Sequence, residues 1–147
     1  MRSRPSCRRS LVRVPQRRYN KVMYSNGLPS AERLRSLAAV RRLFAEGDGG
    51  FVYPFRYITY VDSGAQPGVE VLFSVPKRYH KRANKRNLLR RRTKEAYRLH
   101  KHALLCKVEA QGVAVDVALV YSSKEVLPYK NIEHAVQRIV AEIAQRC

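Results

Sequence analysis

The chain has 147 residues, room for one domain and a tail, and 45% of them are hydrophobic, which supports a modest core. Thirty Lys and Arg stand against eleven Asp and Glu, a net charge of +19. A field of that size repels itself in a compact chain and is not needed by an enzyme of small metabolites, so it calls for a polyanion: nucleic acid first, an anionic membrane surface second. No run of eighteen apolar residues occurs, so no spanning helix is expected. Cys7, Cys106 and Cys147 lie far apart without a CxxC pair, which indicates neither a zinc site nor a disulfide framework and fits a reducing cytoplasm. Of the histidines only His100 and His102 are close, and an i, i+2 pair on a helix points to different faces, so no metal site is expected.

Residues 1–27 carry eight basic residues and no acid, with Pro5, Pro15 and Gly27 and no apolar periodicity. They read as a disordered basic arm, with a cleaved leader as the other reading. The folded part, 28–147, begins near Pro29. Leu34, Leu37, Val40 and Phe44 recur at helical steps, which predicts a helix over 31–46 with Ser30 as N-cap and Gly47 as stop. Asp48-Gly49-Gly50 reads as a turn. FVYPFRYITYVD at 51–62 reads as strand, with Pro54 at a break or an edge. Ser63 to Gly68 is a loop, and 69–75 is a second strand. A long helix follows over 80–105, then a strand at 113–121 and a last helix from about 130 to 146. Ile132, Val136, Ile139, Val140 and Ile143 share one face of that last helix. Around one sheet, the order of helix, two or three strands, helix, strand and helix gives an α+β or α/β sandwich; the expectation is α+β, a small α-β sandwich of order αβββαβα.

The long helix is the informative element. From Lys77 to Lys101 there are twelve Lys or Arg in twenty-five residues, with Glu95 the only acid. At about 100° per residue, Leu88, Leu89, Ala96, Leu99 and Ala103 share one arc, and Arg82, Arg86, Arg90, Lys94, Arg98 and Lys101 lie opposite. Lys85 and Arg92 fall on the apolar side, where their stems would snorkel. A solvated helix mixes signs at i, i+4 spacing, whereas this one stacks like charges four apart, a cost that an anionic partner removes. Asn87, among the arginines, suits a phosphate or a base edge. Tyr53, Phe55, Tyr57 and Tyr60 crowd the first strand region. Exposed strand aromatics stack on unpaired bases, but period two leaves only one face available, and about half of them should be buried.

The stretch SVPKRYHKRANKRNLLRRRTKEAYR resembles the signature of the bacterial ribonuclease P protein subunit. Ser74-Val75 matches the strand end, Lys77-Arg78 the basic pair, Arg86-Asn87 the first two core positions, Arg90-Arg91 the following basic pair, and Lys94-Glu95-Ala96-Tyr97 the tail. Arg33-Leu34-Arg35, Phe44 and Gly47 match the family's opening helix. Leu88 departs from the arginine usual at the third core position, Val40 replaces an aromatic, and Tyr79-His80 replaces a glycine. The resemblance implies a fold like ribosomal protein S5 domain 2, with a left-handed βαβ crossover. It implies a subunit of a cytoplasmic ribonucleoprotein endonuclease that removes the 5′ leader of precursor tRNA. The catalytic RNA partner carries the reaction with Mg²⁺, and no cofactor is held tightly by the protein. The RNA-binding residues would be Lys77, Arg78, Lys81, Arg82, Lys85, Arg86, Asn87, Arg90, Arg91 and Lys94. A leader cleft between the sheet and the first helix would hold Phe44, Tyr57 and Tyr60 with Arg33 and Arg35; a shifted register would substitute Phe55 and Thr59.

Read on its own, the sequence offers no close carboxylate pair, no nucleophile–base pattern and no metal-ligand cluster, so no catalytic residue is assigned. No membrane and no obligate protein partner are expected. The alternative is a structural RNA-binding protein, such as a ribosomal protein, without a role in cleavage. A helix reading a DNA groove is disfavoured by the apolar stripe.

Overall fold

Alternation decides the centre of the molecule. In strand β4 (Ala114–Tyr121) Val115, Val117, Leu119 and Tyr121 are buried on one side, and Asp116, Ala118 and Val120 face the other. The computed structural model describes residues 28–147, and the basic arm expected at 1–27 lies outside the described residues. Three more strands join β4: β1 (Asp48–Val52), β2 (Phe55–Asp62) and β3 (Gly68–Ser74). The sheet order is β1-β2-β4-β3, with β3 parallel to β4 and the other pairs antiparallel.

Both faces of this sheet are covered, unequally. The larger core collects Phe55, Tyr57, Val69, Val71 and the odd-numbered residues of β4 beneath three helices. These are α2 (Ala83–His100), α3 (His102–Gln111) and α4 (Tyr129–Arg146). Helix α4 contributes Ile132, Ala135, Val136, Ile139, Val140, Ile143 and Ala144, which contain the apolar face read from the sequence. Each large aliphatic among them stabilises the fold by about 1.5–3 kcal/mol when fully buried. Helix α1 (Leu37–Glu46) covers the opposite face with much less, burying only Leu43. There it packs with Leu34, Ile58 and Ala118.

The α+β class and the order of elements agree with expectation, with three differences of detail. The first helix starts later than 31. Ser30–Glu32 is a 3-10 turn, residues 33–34 run extended, and Leu34 N–H bonds Val71 O at 3.1 Å beside an Arg33–Val71 bridge on the edge of β3. Ser36, not Ser30, caps α1 through its side chain to Ala39 N–H. The edge of β3 has open backbone groups, and pairing them outweighs extending a helix by two turns. The segment 48–50, expected as a turn, is strand: β1 and β2 form a hairpin whose turn is Tyr53-Pro54, joined by a cis peptide bond. Gly50 permits this, because a Cβ there would collide with the ring of Tyr57 across the pair.

The basic helix is also divided. Instead of one helix over 80–105, α2 ends at His100 and α3 begins at His102. Lys101 between them is 0% exposed, and its ammonium donates to both carboxylate oxygens of buried Glu32, at 2.8 and 3.1 Å. This contradicts the outward position given to Lys101 by the helical wheel. Helix α3 then ends at Gly112, in the left-handed region at φ 66°, whose N–H bonds the carbonyls of Val108 and Glu109.

Glu32→Ala takes from a buried ammonium the carboxylate that neutralises it, and the expected cost is about 3–5 kcal/mol, read by urea denaturation. The double variant Glu32→Leu/Lys101→Met should regain most of that loss. A loss below about 1 kcal/mol in the single variant would show that another group or water holds the Lys101 ammonium.

Candidate nucleic-acid interface

The approach to α2 is a compact turn. Val75 is buried at the end of β3, and the N–H groups of Tyr79 and His80 both bond Pro76 O. His80 is buried, its Nε2 is 2.9 Å from Ser123 O, and its ring packs beside Tyr121. The residue pair noted as a departure from the family signature is thus an anchor. Arg86 reaches back from α2 and donates to His80 O at 3.0 Å and Lys81 O at 2.7 Å. It is one of the expected RNA-binding residues, and part of its donor set is spent on shaping the loop.

Around this frame the cations spread outward. Lys77, Arg78, Lys81, Arg82, Lys85, Asn87 and Arg91 are exposed, and Arg90 and Lys94 are half-buried. Arg78 lies over the Tyr79 ring at 4.8 Å. The buried stripe of α2 is Leu89, Thr93, Ala96 and Tyr97, continued by Lys101 and Leu104. It is rotated from the expected stripe, so Leu88, Leu99 and Ala103 are surface residues rather than core. Lys85 is likewise exposed rather than snorkelling, and Arg92 is half-buried and donates to Leu127 O at 2.7 Å. Leu88, at the position where the family signature has arginine, is 40% exposed; the substitution removes a surface charge and adds nothing to the core.

Like charges meet at the middle of α2. Burial, with Arg33 and Arg90 close by, holds the Lys94 ammonium below the ordinary lysine range. Glu95, the acid of this segment, is taken by Arg98.

The second expected site, the cleft between sheet and first helix, is rearranged by strand parity. Tyr57 is fully buried on the opposite face, where its hydroxyl donates to Glu142 at 2.5 Å and the Arg146 guanidinium lies over its ring. Phe55 and Thr59 share that parity and are buried as well. Tyr60 does face α1, beneath the Arg42 guanidinium at 4.6 Å. Phe44 is 50% exposed on α1. Arg33 lies elsewhere, at the edge of β3 near Lys94, with its guanidinium on Leu28 O, and Arg35 is exposed in the same connection. Two residues on the α1 side were not anticipated. Phe51, 63% exposed, and exposed Arg56 are register partners across the β1–β2 hairpin, on the parity of Ile58 and Tyr60. A hairpin turn placed at Pro54 supplies that parity.

The acids are less scattered than the sequence suggests. Glu70 and Asp116 are register partners on β3 and β4, and Arg42 bridges Asp116 at 3.3 Å and Asp62 at 3.6 Å. Burial raises the carboxyls of both Glu70 and Asp116. Among the described residues no group of three His, Cys, Asp or Glu is arranged to hold a metal ion.

Fold and surface together define a small α+β sandwich with a cationic helix flank and a half-open sheet face. The family model for Ribonuclease P matches residues 28–144. A ribonuclease P protein component of Porphyromonas gingivalis is 33% identical over 119 residues, covering 80% of this chain and 87% of that protein. One from Chlorobaculum tepidum is 39% identical over 84 residues, 54% of each chain. The fold matches the RNase P protein of Staphylococcus aureus with a TM-score of 0.62 at 20% identity, over 79% of this chain and 97% of that one. The RNase P protein from Thermotoga maritima gives 0.61 at 18% identity, over 76% and 97%. The chain belongs to the ribonuclease P protein family.

Lys94 should titrate below an ordinary lysine in the free protein and move upward when a polyanion binds. A lowered folded-state value means that Lys94 disfavours folding while charged. That penalty fades as pH rises through the lowered value. NMR titration of the Lys94 side chain with and without RNA measures both; an ordinary, RNA-insensitive value would remove Lys94 from the interface.

Proposed function

We propose that this chain is the protein subunit of a ribonuclease P ribonucleoprotein, binding its catalytic RNA and the 5′ leader of precursor tRNA to promote 5′-end maturation in the cytoplasm. The observation that carries the reading is the one-sidedness of α2. Leu89, Thr93, Ala96 and Tyr97 pack inward, and Arg82, Lys85, Asn87, Arg90, Arg91 and Lys94 are left outward or at the rim. An anchored helix cannot sit free in a groove, but it can lay a row of cations along a phosphate backbone. Lys77, Arg78 and Lys81 extend that row around the turn held by His80 and Arg86. In this reading the hydrolytic chemistry and its Mg²⁺ belong to the RNA, and the protein contributes charge and position.

The leader would lie on the α1 side of the sheet, where Phe51, Arg56, Phe44 and Tyr60 offer rings and a guanidinium to unpaired nucleotides. Tyr57 has no part there, since its ring is in the core.

Reconstitution with the cognate RNA should let the holoenzyme cleave precursor tRNA at a lower Mg²⁺ concentration than the RNA alone. RNA binding without such stimulation would leave a structural RNA-binding protein. Arg82→Ala or Arg91→Ala should reduce the salt slope of RNA binding by roughly 0.7–0.9 per lost phosphate contact. Phe51→Ala should weaken binding of leader-bearing precursor by about 1–3 kcal/mol and leave binding of leaderless tRNA as it was; equal losses on both would move the leader off this face.

A further inference from the structure

Beside the exposed row of cations, α2 borders a concavity that the row does not require. It is a shallow basin of about 590 Å³, within the roughly 300–1,000 Å³ of small-ligand sites. Its walls are Leu28 and Arg33 from the entering segment, Arg91 and Lys94 with the Glu95–Arg98 pair from α2, and Tyr129 at the start of α4. Three features distinguish it from an ordinary solvated surface. The Lys94 ammonium is half-buried beside Arg33 and Arg90, and among the described residues no carboxylate or carbonyl accepts from it. The acid within reach, Glu95, is already bonded twice by Arg98. The Tyr129 hydroxyl is buried and has no hydrogen-bond partner among the described residues. Stacked like charge and an unsatisfied buried hydroxyl both carry a cost, and both are relieved by one ligand that brings an anion and a hydrogen-bonding group.

Such a ligand is a nucleotide. Leu28 and the Tyr129 ring give apolar surface for a base, and Arg33, Arg91 and Lys94 surround the place of a phosphate. We propose that this basin binds one unpaired nucleotide of an RNA partner, its base against Tyr129 and Leu28 and its phosphate among Arg33, Arg91 and Lys94. The inference rests on the reading of the chain as RNA-binding and goes beyond it. It separates a pocket that accepts a base from a helix face that meets only the phosphate backbone. Arg33 changes role with it, from the leader cleft implied by resemblance to the wall of a pocket beside the opposite sheet edge.

The test is an amide NMR titration of the full chain with adenosine 3′,5′-bisphosphate, with inorganic phosphate and adenosine as separate probes. Saturable shifts at Arg33, Lys94 and Tyr129 are expected, with the bisphosphate binding at least tenfold tighter than either fragment. Tyr129→Ala should weaken that binding about tenfold or more by removing base stacking. Tyr129→Phe, which keeps the ring and the packing, should weaken it severalfold and covers the case in which the alanine variant fails to fold. Phosphate binding as tightly as the bisphosphate would overturn the base pocket. Shifts spread along Arg82–Arg91 without saturation, or an unaffected Tyr129→Phe variant, would overturn it too. The titration uses neither catalytic RNA nor precursor tRNA. Its failure leaves stimulation of cleavage standing, and absent stimulation with intact nucleotide binding would sink the subunit reading alone.

Discussion

Lys101 and Glu32 meet in the interior at a point where three pieces of chain converge: the segment entering the fold, the end of α2 and the start of α3. An ion pair removed from water contributes little net stability, because desolvation offsets most of the attraction. Its consequence is positional. An ammonium that must reach Glu32 sets the rotation of α2 about its own axis, with Leu89, Thr93, Ala96 and Tyr97 inward on the same side as Lys101. Once that rotation is set, Arg91 and Lys94 have to stand on the flank. The same contact holds Glu32, so that Arg33 and Leu34 run along the edge of β3 rather than continuing a helix. The carboxylate and the guanidinium of two consecutive residues then serve different ends, one neutralising a buried cation and the other joining an exposed group of them.

The two faces of the sheet show how unequal burial leaves room for function. The α2–α3–α4 side takes the odd-numbered residues of β2, β3 and β4 and makes a closed core. The α1 side is covered by a helix of ten residues with a single fully covered leucine, and Leu37, Phe44 and Phe51 remain exposed beside it. Apolar rings left in water are unfavourable for a domain acting alone, but scattered or paired rings near a guanidinium suit a ligand with its own π faces. The hairpin is what keeps Phe51 and Arg56 on this side. Gly50 has no Cβ, so Tyr57 crosses it and fills the core, and the neighbouring pair must point the other way.

Where one physical signal governs a segment, the structure is legible in the sequence. Strand β4 and helix α4 have strong periods of two and about 3.6, and both lie close to their expected bounds. Helix α2 is legible in the sequence but its rotation is not, because charge ordinarily means exposure, and Lys101 breaks that rule through a partner 69 residues away. Leu88 and Leu99 were placed inside by the same wheel, and the rotation set by Lys101 turns both outward. Among the first-strand aromatics, composition could not choose a parity: Phe55 and Tyr57 stand one step from Arg56 and Ile58, and the deciding turn at Tyr53-Pro54 was read only as a break or an edge. The gathering of Asp62, Glu70 and Asp116 around Arg42 depends on the β3–β4 register and on α1 crossing the sheet, neither of which has a local signal.

That gathering bears on how a chain of net charge +19 approaches a polyanion. Among the described residues, no carboxylate relieves the repulsion at Arg90, Arg91 and Lys94. Glu95 neutralises Arg98, Glu32 neutralises Lys101, and Asp62 and Asp116 are committed to Arg42 on the other side of the sheet. Acids spread evenly would quench the field around α2. Acids drawn to Lys101, to Arg98 and into the α1 side leave Arg82, Lys85, Arg91 and Lys94 without a carboxylate partner among the described residues. A lopsided charge orients a diffusing protein before contact as well as attracting it. In the proposed complex, the arrangement that makes α2 costly in the free protein would also select which face meets the phosphate backbone first.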